Sequence, residues 1–204
     1  MIVVVMGISG SGKTTIGTML ADAIHCSFLE GDSLHSKESI EKMSHGLPLT
    51  DSDRAPWLAA IRAHILKFFN RGEDLVIVCS ALKQQYRDFL AEGVPITWVY
   101  LKGSEELIRS RLKHRLRHFM KADMLPSQFE VLEEPSDAIV DEISSPPSAI
   151  VAQILAQLQR TGPVPQGTVP PPKIPRKGTH ESEDVRAIEL DHMNFAMKQG
   201  PRRR

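Results

Sequence analysis

A glycine-rich segment between an apolar run and a helical pattern constrains the fold of this chain more than any other feature. Residues 7–14 read GISGSGKT, which fits G-x-x-x-x-G-K-S/T. Residues 2–6, IVVVM, are mostly β-branched without alternation, which is typical of a strand buried on both faces of a parallel sheet. Residues 13–25 then have the pattern of a helix. This order predicts a loop that binds phosphate groups, whereas a plain glycine-rich turn gives no reason for Lys13 and Thr14 to occur together.

The residue types of this segment indicate how it would hold a nucleotide. Glycines allow successive backbone N–H groups to point inward, and the N-terminus of the helix adds partial positive charge. We expect Lys13 to reach the β- and γ-phosphates as a catalytic residue, and the Thr14 hydroxyl to ligate Mg²⁺. ATP and Mg²⁺ are therefore the predicted cofactors. The predicted nucleotide-binding residues of the loop are Gly7, Ser9, Gly10, Ser11, Gly12, Lys13, Thr14 and Thr15.

Strand and helix patterns alternate along the rest of the chain. Apolar runs predict further strands at residues 27–30, 75–79, 96–101 and 139–143. Helical spacing and capping residues predict helices at 38–45, 51–71, 83–90, from 104 onward and at 148–159. This alternation predicts an α/β P-loop NTPase fold, in which a parallel five-stranded sheet carries helices on both faces and binds ligands at the carboxyl ends of its strands.

The composition changes after residue 160. Residues 161–204 are rich in proline and contain few large apolar side chains, so they cannot bury enough surface to fold. We predict a kinase domain at residues 1–160 and a disordered tail at residues 161–204.

Charge and cysteine content narrow the partners and the compartment. Lys plus Arg equals Asp plus Glu at 25 each, which gives no global attraction to nucleic acid or to an anionic membrane. The two cysteines, Cys26 and Cys79, form no CxxC pair, and the apolar start of the chain is too short to span a membrane. A reduced cytoplasmic protein is expected, with no nucleic-acid or membrane partner.

A phosphate-binding loop alone does not separate kinases from motor ATPases or GTPases. The third strand ends in Cys79-Ser80 rather than in the acidic residue that ligates Mg²⁺ in ATPase motors, and no NKxD segment occurs. Both absences favour a compact kinase. Asp32 follows the second strand, where a carboxylate can take a hydroxyl proton and orient the oxygen for attack. The residues alone leave open whether Asp32 is catalytic or merely ends a strand.

Several longer segments resemble the gluconokinase family. They are the loop itself, FLEGDSLH at residues 28–35, IEKMSHGLPLTDSDRAPWL at 40–58, VCSALKQQYRD at 78–88 and HFMKADMLPSQFEVLEEP at 118–135. The resemblance extends in a consistent order over about residues 1–158. It implies phosphorylation of D-gluconate by ATP to 6-phospho-D-gluconate, a nucleoside-monophosphate-kinase-like fold with a mobile lid, and a homodimer.

The resemblance also implies which residues bind the acceptor. Asp32 matches the acidic residue near the acceptor hydroxyl, and the matching substrate-side positions are His35, Arg54, Lys83, Arg87 and His118. The carboxylate of a sugar acid requires a cationic, fork-like donor, which either Arg54 or Arg87 can supply. Without the resemblance, these residues would read as solvated helix faces and a loop histidine. Trp57 belongs to the apolar stripe of its helix and is expected to be a core residue.

A basic segment from Arg109 to Arg117 resembles the lid that closes over ATP in such kinases. Arg111 and Arg115 are the predicted ATP-binding residues of this lid. A solvated basic helix face and a zinc pair formed by His114 and His118 are the alternatives. Arg117 stands where the family usually has glycine.

Two other functions remain open from the sequence. One is a small P-loop kinase that acts on shikimate, adenylylsulfate or a nucleotide. The other is a non-catalytic nucleotide-binding module whose proline-rich tail recruits a partner.

Overall fold

The computed structural model describes residues 1–113 and 125–161 of the chain. The strands are β1 Ile2–Met6, β2 Ser27–Glu30, β3 Leu75–Val78, β4 Ile96–Lys102 and β5 Ile139–Glu142. The helices are α1 Lys13–Ala23, α2 Lys37–Ser44, α3 Asp51–Arg71, α4 Gln84–Ala91, α5 Glu105–Lys113, α6 Leu125–Val131 and α7 Pro147–Thr161. A short 3₁₀-helix, Gly31–Leu34, follows β2.

The five strands form one parallel sheet in the order β2-β3-β1-β4-β5. Central β1 is fully buried and lies between β3 and β4, so the loop that follows it opens between the carboxyl ends of its neighbours. The predicted α/β fold with five parallel strands is confirmed, including the fifth strand.

Alternate residues of β1 supply two cores on opposite faces of the sheet. Val3 and Val5 pack in the core that includes residues of α1 and α7. Ile2, Val4 and Met6 pack in the core that includes residues of α3 and α4. A strand buried on both faces needs apolar residues at every position, which explains the continuous run in the sequence.

The start of α3 is fixed by a capping box. The Thr50 hydroxyl accepts from the Asp53 backbone N–H at 3.2 Å, and the Asp53 carboxylate accepts from the Thr50 N–H at 2.7 Å. Lys42 of α2 also donates to Asp53, at 2.6 Å. These contacts place the first turn of α3, with Asp51 and Arg54, against the end of α2.

Two elements were not predicted, the 3₁₀-helix and α6. Both are too short for a periodic apolar pattern to identify them. Of the predicted lid, residues 109–117, residues 109–113 form the end of α5, and residues 114–117 lie outside the described residues. Of the predicted tail, residues 161–204, only residue 161 is described, so the division at residue 160 stays a prediction. Helix α7 ends at Thr161. Within residues 1–113 and 125–161, no helix has both the length and the apolar character that a membrane span requires.

Candidate active site

The loop of residues 7–14, here called the phosphate loop, joins β1 to α1. Gly7 has a φ of 145°, and a Cβ at this position would lie 2.9 Å from the Leu101 carbonyl oxygen. Gly12 has a φ of 97° immediately before α1 begins. Side chains other than hydrogen would strain both positions, so the glycines of the motif are needed for the shape of the loop.

Lys13 lies across this loop. Its side-chain Nζ donates to the carbonyl oxygens of Gly7 at 3.0 Å and Ile8 at 3.2 Å. The residue is only 9% exposed. A lysine ammonium held over the loop in this way lies where anionic phosphate oxygens would approach the inward-facing amides.

Thr14 and Glu30 present oxygen atoms at the edge of the phosphate loop. The Thr14 hydroxyl donates to the Glu30 carboxylate at 2.7 Å, and Glu30 is the last residue of β2. Hydroxyl and carboxylate oxygens are the ligands that Mg²⁺ prefers, so this pair fits the ion. Among the described residues, no group of three or more His, Cys, Asp or Glu could hold a metal alone. Sequence reasoning missed Glu30, because only the fold brings β2 to the loop.

A cavity of about 400 Å³ opens beside Lys13. We call it the Asp32 cavity. It is lined by Ser9, Lys13, Asp32, His35, Met43, Pro48, Leu49, Thr50, Asp51, Arg54, Trp57, Ser80, Leu82, Lys83, Tyr86, Ser127, Gln128, Glu130 and Val131. Six predicted site residues are therefore brought together: Ser9, Lys13, Asp32, His35, Arg54 and Lys83.

Trp57 organises the wall around Asp32. Its Nε1–H donates to the Gly31 carbonyl at 2.8 Å, which ties α3 to the 3₁₀-helix that carries Asp32. The His35 ring stacks on the indole with centroids 4.5 Å apart and planes 9° apart. Trp57 is 2% exposed, as expected of a core residue, yet it also lines the cavity, which the sequence analysis missed.

The environment of His35 favours the neutral form of its ring. Burial lowers the pKa of His35, the Arg54 charge lowers it further, and the nearby Asp32 carboxylate opposes both. Within the part of the chain that the structure describes, the buried Nδ1 atom has no hydrogen-bond partner. A neutral imidazole can donate from one nitrogen and accept at the other, which suits hydroxyl groups.

The Asp51 carboxylate contacts several polar side chains in the wall of the Asp32 cavity that α3 and the start of α4 form. Its carboxylate accepts from Lys83 Nζ at 2.8 and 2.9 Å and from the Tyr86 hydroxyl, and it lies 3.8 Å from Arg54 Nη1. Partial burial would raise the pKa of Asp51, but the hydrogen bonds from Lys83 and Tyr86 outweigh it and hold that pKa below its usual value. The sequence analysis assigned Asp51 no role in the site.

The two candidate arginines occupy different environments. Arg54 lines the Asp32 cavity and uses Nη1 to bond the Leu49 carbonyl at 2.7 Å. Arg87 is 2% exposed and does not line the cavity. Its guanidinium donates to the carbonyls of Ala81 and Leu82 at 3.0 and 3.2 Å and to Gln84 Oε1 at 2.6 Å. Arg87 thus holds the turn between β3 and α4.

A second cavity, of about 410 Å³, lies on the other side of the phosphate loop. We call it the Arg111 cavity. It is lined by Gly10, Ser11, Gly12, Thr15, Ile16, Ser110, Arg111, Ser145, Pro147 and Ile150. Arg111 donates to the Ile143 carbonyl at 2.5 Å and to the Ser11 carbonyl at 3.5 Å, so it joins α5 to the loop.

The predicted nucleotide-binding residues are divided between the two sides of the loop, except for Gly7 and Thr14, which line neither cavity. Ser9 and Lys13 face the Asp32 cavity, whereas Gly10, Ser11, Gly12, Thr15 and Arg111 face the Arg111 cavity. Arg115 and His118 lie outside the described residues.

A phosphate loop flanked by two cavities, on a parallel sheet of this order, defines a P-loop kinase class of protein. The family model described as "AAA domain" matches residues 2–135. A solved gluconokinase structure from Sinorhizobium meliloti 1021 has a TM-score of 0.70 and 45% identity, covering 78% of this chain and 91% of that one.

Two curated relatives specify the family. The thermoresistant gluconokinase of Escherichia coli K12 is 44% identical over 164 residues, covering 78% of this chain and 94% of the relative. The gluconokinase of Gluconobacter oxydans 621H is 47% identical over 135 residues, covering 66% and 76%. This chain belongs to the gluconokinase family.

Proposed function

We propose that this chain transfers the γ-phosphate of ATP to D-gluconate and releases 6-phospho-D-gluconate. The observation that carries the proposal is the Asp32 cavity, which places a carboxylate, two cationic side chains and Lys13 around one space of about 400 Å³. A polyhydroxy acid needs hydrogen-bonding partners for its hydroxyls and a cation for its carboxylate. The similarity to gluconokinases of Escherichia coli and Gluconobacter oxydans supports the same acceptor.

The phosphate loop would hold the phosphates of ATP, and the nucleoside would lie in the Arg111 cavity. The amides before α1 and the ammonium of Lys13 provide the positive potential for the phosphates. Thr14 and Glu30 are the residues that would hold Mg²⁺, which when bound offsets the negative charge of the β- and γ-phosphates.

Asp32 is the proposed base for the acceptor hydroxyl. Its position in the 3₁₀-helix after β2 brings the carboxylate into the same cavity as Lys13. The carboxylate would accept the hydroxyl proton and aim the oxygen at the γ-phosphate, which is most of what phosphoryl transfer requires of a protein. The neutral His35 ring would hydrogen-bond a neighbouring hydroxyl.

Arg54 is the proposed partner of the gluconate carboxylate. It lines the cavity and uses one Nη atom for the Leu49 carbonyl, whereas the Arg87 guanidinium is committed to three acceptors around its own turn. Lys83, which forms an ion pair with Asp51, would contribute a second positive charge. Roles for Arg115 and His118 stay predictions.

An ADP-release assay tests the proposed function. The protein and an Asp32→Asn variant would be assayed with MgATP and a panel of sugar acids, shikimate, adenylylsulfate and nucleoside monophosphates. We expect turnover with gluconate and strong loss in the variant. Turnover of another acceptor with none of gluconate would refute the assignment.

Three further proposals concern the chain as a whole. The family resemblance implies a homodimer, which light scattering on the purified protein would test. A cytoplasmic location is also proposed, and fractionation of the producing cells would test it.

Removing residues 162–204 should leave the kinetic constants unchanged if residues 1–160 form the kinase domain.

A further inference from the structure

Gln128 of α6 makes a buried contact with the phosphate loop. Its Oε1 accepts a hydrogen bond from the Ser9 backbone N–H at 2.9 Å, across 119 residues of sequence. The side chain is nearly inaccessible, at 8% exposed. Because the donor is a backbone amide, the oxygen of the side-chain amide must face it, which fixes the orientation of Gln128.

This contact lies on the edge of the loop that faces the acceptor. Ser9 and Gln128 both line the Asp32 cavity, together with Lys13 and Asp32. The Ser9 amide is therefore directed to α6, while the residues from Gly10 to Gly12 line the opposite cavity. Gln128 thus holds the phosphate loop at its edge toward the Asp32 cavity, where a phosphoryl group would pass from ATP to the acceptor.

The segment that carries Gln128 is itself anchored beside Lys83. Glu133, just after α6, donates its backbone N–H to the Leu82 carbonyl at 2.9 Å. The Glu133 carboxylate accepts from the Gln84 backbone N–H at the start of α4. Residues 125–133 therefore connect the phosphate loop at one end to the turn that carries Lys83 at the other.

We propose that Gln128 is a positioning residue for phosphoryl transfer, which keeps the acceptor-facing edge of the phosphate loop aligned with Asp32. This inference rests on the proposed function. The Ser9 N–H bonds to Gln128 Oε1 and not to another group of the loop, so this edge of the loop depends on α6 for its position. A shift of about 1 Å between reacting groups can cost about 10²-fold in rate.

Two other roles for Gln128 would give different kinetics. A hydrogen bond that only stabilises the fold would lower the melting temperature without a specific effect on transfer. A residue that binds gluconate directly would raise the KM for gluconate. A positioning residue would lower kcat and allow phosphate to reach water instead of the acceptor.

The test compares Gln128→Met and Gln128→Asn with the wild type. Methionine preserves the length without a strong acceptor, and asparagine is one methylene too short to reach Ser9. Gln153→Met, at an exposed position of α7, is the matched control. We would measure kcat, KM for gluconate and ATP, melting temperature, and the ratio of ADP to 6-phosphogluconate formed.

Both variants should lower kcat by about 10-fold to 10²-fold. The KM for gluconate should stay within about twofold, and the ratio of ADP to product should rise above one, while Gln153→Met matches the wild type. If Gln128→Met fails to fold, Gln128→Asn decides. An unchanged kcat, or a loss confined to the KM for gluconate, overturns the proposal. If the wild type does not phosphorylate gluconate, the proposed function is wrong, but the proposal for Gln128 can still be tested. The variants are then compared with whichever acceptor of the panel the wild type phosphorylates.

Discussion

The two cavities beside the phosphate loop have similar volumes but different walls. The Arg111 cavity is lined largely by glycines and serines, with Arg111 as its cation. The Asp32 cavity has charged and aromatic side chains from the loop, the 3₁₀-helix and the residue after it, α3, α6 and the start of α4, and α2 adds Met43. The Arg111 cavity therefore takes half of its lining from the contiguous residues 10–16, whereas the lining of the Asp32 cavity comes almost entirely from residues distant in sequence from the loop.

This difference predicts that substitutions will separate into classes. Changes to the loop should weaken the use of ATP with any acceptor. Changes to the wall of the Asp32 cavity outside the loop should alter the acceptor step and leave ATP binding intact. The first three predictions below test this separation, the fourth tests an ion pair in the wall of the Asp32 cavity, and they run from the largest expected effect to the smallest.

Lys13→Met should have the largest effect. Removal of the ammonium over the loop takes away a cation that acts on the transferring phosphate, so we expect kcat/KM for ATP to fall by about 10³-fold. Lys67→Met, on an exposed position of α3, is the control and should match the wild type. Steady-state kinetics with saturating gluconate measure both. A fall below tenfold would show that Lys13 is not catalytic.

Asp32→Asn should reduce kcat by about 10²-fold, because a general base contributes roughly that factor or more. Binding of MgATP should be unchanged in calorimetry, since Asp32 lies on the acceptor side. Asp22→Asn, at an exposed position of α1, serves as the control. Weakened nucleotide binding by Asp32→Asn would break the separation of the two sides.

Arg54→Lys and Arg87→Lys form a matched pair. Lysine cannot reproduce the planar fork, so Arg54→Lys should raise the KM for gluconate by about tenfold. Arg87→Lys should instead lower the melting temperature, because the carbonyls of Ala81 and Leu82 would lose a buried donor, while the KM for gluconate stays within twofold. The opposite pattern would assign the carboxylate to Arg87.

Asp51→Asn should have the smallest effect, on stability. A folded-state pKa below the unfolded value of about 3.9 stabilises the protein above that pH, and the contribution is lost as pH falls through the folded pKa. At pH 7 we expect the variant to melt about 2 °C lower, since a partly exposed pair contributes little. The difference from the wild type should shrink as the pH is lowered below about 4. A difference that does not change with pH would show that the Asp51 charge is not involved.

The sequence predicted the loop and the sheet well because their signals are local. The motif of residues 7–14 and the apolar runs are contiguous in sequence, so each predicts its own local backbone structure without contacts from the rest of the fold. The wall of the Asp32 cavity is different, because Asp51 meets Lys83 and Tyr86 only after α3 and α4 pack on the same face of the sheet. No spacing along the chain encodes that contact.

Two site residues, Glu30 and Gln128, were missed for related reasons. Glu30 appears in the sequence as the end of a strand, and its contact with Thr14 depends on the parallel order of the sheet. Gln128 belongs to a seven-residue helix without an apolar period. Arg87 is the opposite case. The sequence analysis expected this cation at the substrate, but its side chain is 2% exposed and bonds the turn between β3 and α4.

The central claim is that the Asp32 cavity orients D-gluconate with its terminal hydroxyl toward the γ-phosphate, so that only this hydroxyl is phosphorylated. Phosphorus-31 NMR of the products formed from MgATP and gluconate tests it most directly. The account predicts a single phosphomonoester coupled to the two protons on C6. Inorganic phosphate as the sole product, or an ester at another hydroxyl, would contradict it.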